Sequence, residues 1–527
     1  MHWGLLRVRI ACVGLSCHGG FSCAHAADWL QFGSDAAHSS FNRGEHGYST
    51  STGNALAFPP VTLPSAVDAA PVHVGDVSTT AGNRNLLLAV AKDGTLLALN
   101  ADNGMTLWSA QPGGKGTLTT GSPAIDPTRQ YVYAYGLDGQ IHKYTIADGT
   151  EIVDAAWPQL ATLKPDIEKN ASALTIATAG NGHTYLYAVS NSYYDAGDFQ
   201  GHLTAIDLGS GTQNVFNAQC SDLNMHFVAN GVTSGGGQND CALIQSPRPG
   251  QTAGSGIWGR AGAVFDAATD RVYFATGNGL FDPANAQGNG RDWGDSVLAL
   301  NADGTGSFTQ GMPVDSYTPA TYVNLFANDA DLGSTSPSIL PAPAGSSVAH
   351  LAMQGGKDGC MRLLDLDNLS GNSAAGHVGG ELQAVNLPGT VNHCLDGGNL
   401  GIFKAQAAVW VNSRDASTWV FVGHAAGVVA YRVEIDEDDG TPSLEAQWSS
   451  GNAGTSPVIA NGTLYYVASG AVRALDAETG NQLWIENRIG GIHWQSPIVV
   501  NGRLYVFDES GLLWTFQLDG IFRGAFE

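Results

Sequence analysis

Charge is what this chain has least of. Only 13% of its 527 residues are charged, about half the usual share, and positive charge is the scarcer kind. Lys and Arg number 23 against 47 Asp and Glu, a formal charge of −24. A phosphate backbone binds by releasing counterions onto clustered Lys and Arg, and no such run occurs here, so nucleic acid is not an expected partner. Neither a Gly-Lys-Ser/Thr loop nor a strand-linked G-x-G-x-x-G is present, which removes the common cradles for nucleotide phosphates. No C-x-x-C pair and no C-x-x-C-H occurs, the CHGGFSC at Cys17 included. This argues against a zinc ribbon and against an attached haem. Beyond the first residues, no stretch approaches the roughly 20 apolar residues of a membrane span.

What is present is glycine, 69 residues of it, in a chain that is 43% hydrophobic. Arg7 and Arg9, the apolar stretch from Ile10 to Cys23 and the small-x-small triplet Ala24-His25-Ala26 read as an export signal over residues 1–26. Neither Cys17 nor Cys23 follows a lipoprotein pattern, so the expected product is periplasmic or secreted and starts at Ala27. That leaves Cys220, Cys241, Cys360 and Cys394, an even set suited to two disulfides in an oxidising space. Three connectivities are open, and sequence proximity favours Cys220 with Cys241 and Cys360 with Cys394.

One local pattern recurs eight times, beginning near Pro71, Pro123, Ala173, Ala261, Pro337, Ala407, Pro457 and Pro497. Each copy has a small or Pro residue, short β-branched strands, an Asp/Ser-Gly turn and a strand ending in Leu-Asp or Leu-Asn. The cleanest run from Ser456 to Trp484 and from Val90 to Trp108. Short alternating strands at this spacing predict an all-β propeller, most simply eight four-stranded blades. A blade has two faces to cover, so blades must stack and the ring must close. A strand from the N-terminal part completing the last blade, which ends at Leu512 to Phe516, would leave no open edge; Asp28 to Gly33 precede the first full copy. Residues 27–527 then form one domain, with Trp108, Trp448 and Trp484 packing between blades. Two insertions, near 217–256 and 280–296, break the repeat and are expected to cap one mouth of the channel.

The opening Asp28-Trp29-Leu30-Gln31-Phe32-Gly33 and the Ala474 to Trp484 segment (ALDAETGNQLW) resemble the pyrroloquinoline-quinone-type β-propellers. That family includes eight-bladed quinoprotein alcohol dehydrogenases and non-enzymatic outer-membrane assembly lipoproteins. The resemblance spans nearly the whole chain after the signal. In the dehydrogenases a Trp early in the fourth blade lies beneath the quinone and an Asn in a nearby Gly-rich turn binds calcium. Gly256-Ile257-Trp258-Gly259 and Ala275-Thr276-Gly277-Asn278-Gly279 match in order and separation. A flat quinone needs a flat aromatic surface and Ca²⁺ needs oxygen ligands, so Trp258 and Asn278 have suitable chemistry.

The segments Asn328-Asp329-Ala330-Asp331-Leu332-Gly333 and Gly355-Gly356-Lys357-Asp358-Gly359 resemble the catalytic-Asp segment and the cation turn of the fifth blade. The resemblance implies Asp331 as the base, with Asp329 second, Lys357 as the cation beside the quinone oxygens, and Asn278 and Asp331 as calcium ligands. Two departures stand out. The Cys-Cys pair that usually lies against the quinone is absent. The third-blade Glu is also missing between Ser190 and Gly201, where Asp195 or Asp198 are the acidic residues. Asp282, Asn285, Asn289, Asp292 and Asp295 in the second insertion form a further oxygen-rich set, and His393, His424 and His493 fall near strand ends.

Two functions follow from this reading. The first is an exported dehydrogenase that binds pyrroloquinoline quinone and Ca²⁺, oxidises an alcohol or sugar hydroxyl, and passes electrons to a separate acceptor. The second is a non-catalytic propeller that binds or scaffolds envelope proteins, which explains the missing Cys-Cys and Glu.

Overall fold

The computed structural model describes residues 28–45, 55–223, 227, 241, 243–288, 290–372, 374–401 and 403–518. The expected signal over residues 1–26 lies outside them. Eight blades follow in chain order: 72–110, 124–160, 175–217, 264–317, 338–386, 408–450, 458–486 and 498–517. The first seven are four-stranded antiparallel meanders, the seventh with Phe41–Asn42 added parallel to its inner strand, and the eighth takes its outermost strand from the N-terminal part. Inner strands begin at Val72, Ala124, Thr175, Val264, Ser338, Ala408, Val458 and Ile498, each within three residues of a repeat start read from the sequence.

The first two strands of a blade are apolar where neighbouring blades cover both their faces. Leu86, Leu87 and Leu88 are all fully buried on consecutive positions of one strand. The repeat's Asp-x-x-x-Gly turn has a specific use in this stacking. Asp476 Oδ1 accepts the Glu478 and Thr479 amides, closing the turn. Gly480 then turns at φ +71° with Trp448 of the preceding blade so close that a Cβ would lie 2.6 Å from its ring. The Trp448 indole donates to Ala477 O across the same gap, at 3.0 Å. Trp108 donates likewise to Ile146 O at 2.9 Å, and Trp484 meets Phe516 edge-on at 5.2 Å. All three tryptophans therefore hold one blade to the next.

Closure is made by Ala55–Leu56 and Val61–Thr62, which pair antiparallel with Leu512–Gln517. Residues 28–33 do not close the ring, because Asp28 to Asn42 form a belt along the inner strands instead. Trp29 bridges His73 of blade 1, Leu30 O accepts Ile125 N of blade 2, and the Gln31 amide pairs with Ile176 of blade 3. Ala36 O, Ser39 O and Ser40 O accept from Phe265, Val409 and Ile459 of blades 4, 6 and 7. Asn42 reaches Val499 O of blade 8 at 2.7 Å. These bonds fall past the start of each inner strand, so the belt lies toward the end of the channel opposite the connections that enter those strands.

Both expected disulfides form, Cys220 with Cys241 and Cys360 with Cys394. No helix among the described residues is long and apolar enough to cross a membrane.

Candidate functional site

The connections that enter the inner strands, together with the hairpin turns after each second strand, ring one mouth of the channel. Most of the residues singled out from sequence converge there. Ser255 N binds Asn278 O and Gly277 N binds Gly256 O, both at 2.8 Å, which docks the Trp258 segment on the Asn278 turn. Gly277 permits this closeness: a Cβ there would sit 3.1 Å from the Trp258 indole nitrogen and 3.2 Å from Asp331 Oδ1.

Asp329 and Asp331 come from the link between blades 4 and 5. The helix Tyr322–Asn328 ends at Asp329, which takes the left-handed conformation at φ 53° and ψ 47°; Asp tolerates this better than most residues. A short 3₁₀ turn, Leu332–Ser334, follows directly. Asp331 Oδ1 accepts the Asn278 amide at 2.7 Å and its Oδ2 meets Lys357 Nζ at 2.5 Å. Asp329 accepts the Asn278 side-chain amide at 3.0 Å and lies 3.3 Å from Lys357 and 2.9 Å from Arg248. Lys357 also sits over the Trp258 ring, 5.3 Å from its centroid. All five residues predicted from the family resemblance are thus in one contact network.

The electrostatics follow from burial. Burial opposes the Lys357 charge, but Asp331 and Asp329 outweigh it and hold the ammonium above its ordinary range. Asp329 is pushed up by burial and by the Asp331 charge, against Lys357 and Arg248. Asp195 is raised by burial, then by the same pair of carboxylates. Asp295 is raised well above the carboxylate range by burial, then by Asp331; one of its oxygens accepts Leu332 N while the other is buried without a partner.

Beside Asp329 and Asp331 lies a narrow, oxygen-rich cleft also lined by Asn191, Asp195 and Asn278. The side-chain oxygens of Asn191 and Asn278 are buried and accept no hydrogen bond, a state that costs about 1–3 kcal/mol each unless something donates or coordinates. Two neutral and several anionic oxygens fit a hard cation. Asn191 stands in the third blade, where the family Glu was missed. Asp198 is not part of this set, since it pairs with Lys164 at 3.1 Å.

In the second insertion Asp282, Asn285 and Asp292 are taken up by backbone amides of the loops rather than by a shared cation site. Asp282 accepts Ala286 N and Gln287 N, Asn285 accepts Gly290 N and Asp292 accepts Cys220 N. Its oxygens stabilise the loop itself, as short polar side chains in turns commonly do. Asn289 lies outside the described residues. His393 bonds Asp396 within a surface loop.

Over Trp258 opens a cavity of about 390 Å³. Its walls include Lys169, Arg260, Lys357, Lys404 and Trp494, and the two indoles meet at 62° and 6.4 Å. Arg260 is buried and donates only to the backbone of Thr120 and Ala171 and the Thr120 hydroxyl. Among the described residues, Lys169, Arg260 and Lys404 make no ion pair. Burial pulls all three downward, Arg260 to about 10. Arg260 is buried and Lys169 and Lys404 are half-buried, and unpaired cations so placed call for an anion. Sequence reading missed Lys169, Arg260, Lys404 and Trp494, although the last three carried a positional signal. Arg260, Lys404 and Trp494 each stand one to three residues ahead of a repeat start, which is the position that enters the channel.

A family model described as outer membrane protein assembly factor BamB matches residues 62–239 and 407–521, more than half of the chain. The chain belongs to this family of pyrroloquinoline-quinone-type propellers. The unmatched stretch of the propeller carries Trp258, Arg260, Asn278, Asp329, Asp331, Lys357 and Lys404. Among solved structures, the propeller is similar to the quinohemoprotein alcohol dehydrogenase ADHIIG from Pseudomonas putida HK5. The TM-score is 0.61 at 16% identity, covering 94% of this chain and 81% of that one. The quinohemoprotein alcohol dehydrogenase from Comamonas testosteroni gives 0.61 at 17%, covering 96% and 83%. A europium-containing methanol dehydrogenase gives 0.62 at 14%, covering 93% and 98%. At these identities the likeness concerns the fold. No curated protein sequence matches the chain.

Proposed function

We propose that this propeller is an exported, periplasmic or secreted dehydrogenase that binds pyrroloquinoline quinone at the mouth of its channel and oxidises an alcohol or sugar hydroxyl. The observation that carries the reading is the 390 Å³ cavity, which joins flat indole surfaces to unpaired cations beside an acidic, oxygen-rich cleft. A planar polycarboxylate is the ligand class these walls complement.

In this reading Trp258 provides the floor, and Arg260 and Lys169 receive the quinone's carboxylates. Asn191, Asn278, Asp195 and Asp329 hold a hard cation, Ca²⁺ or, given the number of carboxylates, a trivalent lanthanide such as the one named in the europium-containing relative. The quinone, when bound, supplies the two-electron acceptor chemistry. Asp331, fixed by the Asn278 amide and the Lys357 ammonium, takes the proton from the substrate hydroxyl. Lys357 places positive charge where negative charge develops. Electrons leave to a separate acceptor.

The test is calorimetric titration of the full chain with pyrroloquinoline quinone, alone and with Ca²⁺ or La³⁺. One saturable site that tightens with the cation is expected, with binding lost in Lys357→Met and turnover lost in Asp331→Asn. Absence of binding under every condition overturns the reading. The rival, a binding or scaffold propeller of the cell envelope, is favoured by the description of the matching family model and takes over in that case.

A further inference from the structure

A second cavity of about 480 Å³ opens over blades 6 to 8 and shares Lys404 and Trp494 with the first. Its volume falls in the range of small-molecule sites. In the quinone reading only Trp494 of its lining takes part.

Much of its wall is glycine and alanine, including Gly423, Ala453, Gly454 and Ala468, which leaves space for a ligand, and its one indole is the Trp494 shared with the first cavity. The hydroxyls of Thr455, Ser456 and Ser469 are already bonded to backbone groups, and the remaining polar side chains differ in kind. His424 is 4% exposed, and burial pushes it down to about 4, so the ring is neutral at ordinary pH. Its Nδ1 accepts the Ala426 amide at 3.2 Å, which places its proton on Nε2 and makes that atom a donor. His493 is the complement. Its Nδ1 lies 2.7 Å from Asp68 Oδ2, a carboxylate whose side chain is 1% exposed. In the neutral ring Nδ1 then holds the proton and Nε2 is an acceptor, on a side chain that is 55% exposed. Lys404 supplies the one cation of the lobe, and among the described residues it makes no ion pair.

One donor, one acceptor and one unpaired ammonium around a small-residue wall form a pattern for a ligand with hydroxyls and a single negative charge. We propose that this lobe binds a small hydroxy acid, with its carboxylate on Lys404 and hydroxyls of its chain on His424 and His493. A simple neutral alcohol would leave Lys404 unpaired and most of the lobe empty. The inference names a substrate class for the proposed dehydrogenase and in that sense rests on that reading, while binding itself does not require the quinone.

The experiment is calorimetric titration of the full chain, without quinone, using D-gluconate as probe beside D-glucose and acetate. Saturable gluconate binding is expected, at least tenfold tighter than either comparison compound, because each lacks the charge or the hydroxyls. Lys404→Met and the lobe-filling Ala453→Trp should each weaken gluconate at least tenfold. Ser469→Trp serves if Ala453→Trp does not fold, as judged by its thermal transition. Quinone titrations are run in parallel. Quinone binding retained in the lobe-filling variant, with gluconate binding lost, supports the proposal. It is overturned if the wild-type chain ignores gluconate, if acetate or glucose binds as tightly, or if the filled lobe binds gluconate unchanged. Quinone binding without gluconate binding removes this inference alone. Gluconate binding without quinone binding removes the dehydrogenase reading alone.

Discussion

Asp292 accepts the Cys220 amide in the loop that lengthens blade 4, and burial, with Asp282 nearby, pushes its carboxyl up to about 7. Because its folded value lies above its unfolded one, its contribution to stability is complete below the unfolded value near 4. That contribution is lost as pH rises toward 7. Between pH 5 and pH 8 the folded protein should weaken by about 3 kcal/mol relative to Asp292→Asn. Denaturant unfolding of both forms at pH 5 and pH 8 checks this, and an equal change in the two forms would rule out the assignment. Site legibility has the same local character. Trp258, Asn278, Asp331 and Lys357 were readable because each lies inside a short Gly-bounded turn that keeps its spacing. Arg260, Lys169 and Lys404 are single cations far apart in sequence, and only the ring brings them to one cavity. Asn191 was passed over because the expected ligand there was a carboxylate.

At the scale of strands and turns, the repeat motif states its own packing rule. Gly480 has both a left-handed backbone and Trp448 within 2.6 Å of a would-be Cβ, whereas Gly462 has φ +69° and nothing within 4 Å. Alanine at 462 therefore meets only the backbone cost, about 1–2 kcal/mol. Alanine at 480 adds an overpacking cost of about 1–3 kcal/mol. Thermal unfolding of the two variants should separate them by several degrees, with Gly480→Ala the lower. All eight inner strands were legible because Pro or Ala followed by β-branched residues marks each start. The closing strand was not, since Ala55–Leu56 and Val61–Thr62 are too short to show alternation. The Asp28 to Gly33 stretch looked more strand-like, yet its Trp29 and Phe32 are buried in two different core clusters.

For the whole molecule, integrity depends on one seam. Leu63 N donates to Gly511 O at 2.8 Å beside the closing strand. Leu63→Pro removes that bond and disturbs the pairing of Val61 with Leu513, for a loss of about 3 kcal/mol. It also exposes the edge of the last blade, an edge apt to pair with another copy. Light scattering should show more association than in the wild-type chain, and a variant of unchanged size and stability would mean the seam is dispensable.

The belt from Asp28 to Asn42 has a consequence in time. Its last member reaches a carbonyl 457 residues further along, and its neighbours on the way belong to six other blades. Contacts this distant in sequence form late. Asn42, made before any blade, therefore remains unplaced until the final blade exists, and the ring stays open until that blade is made.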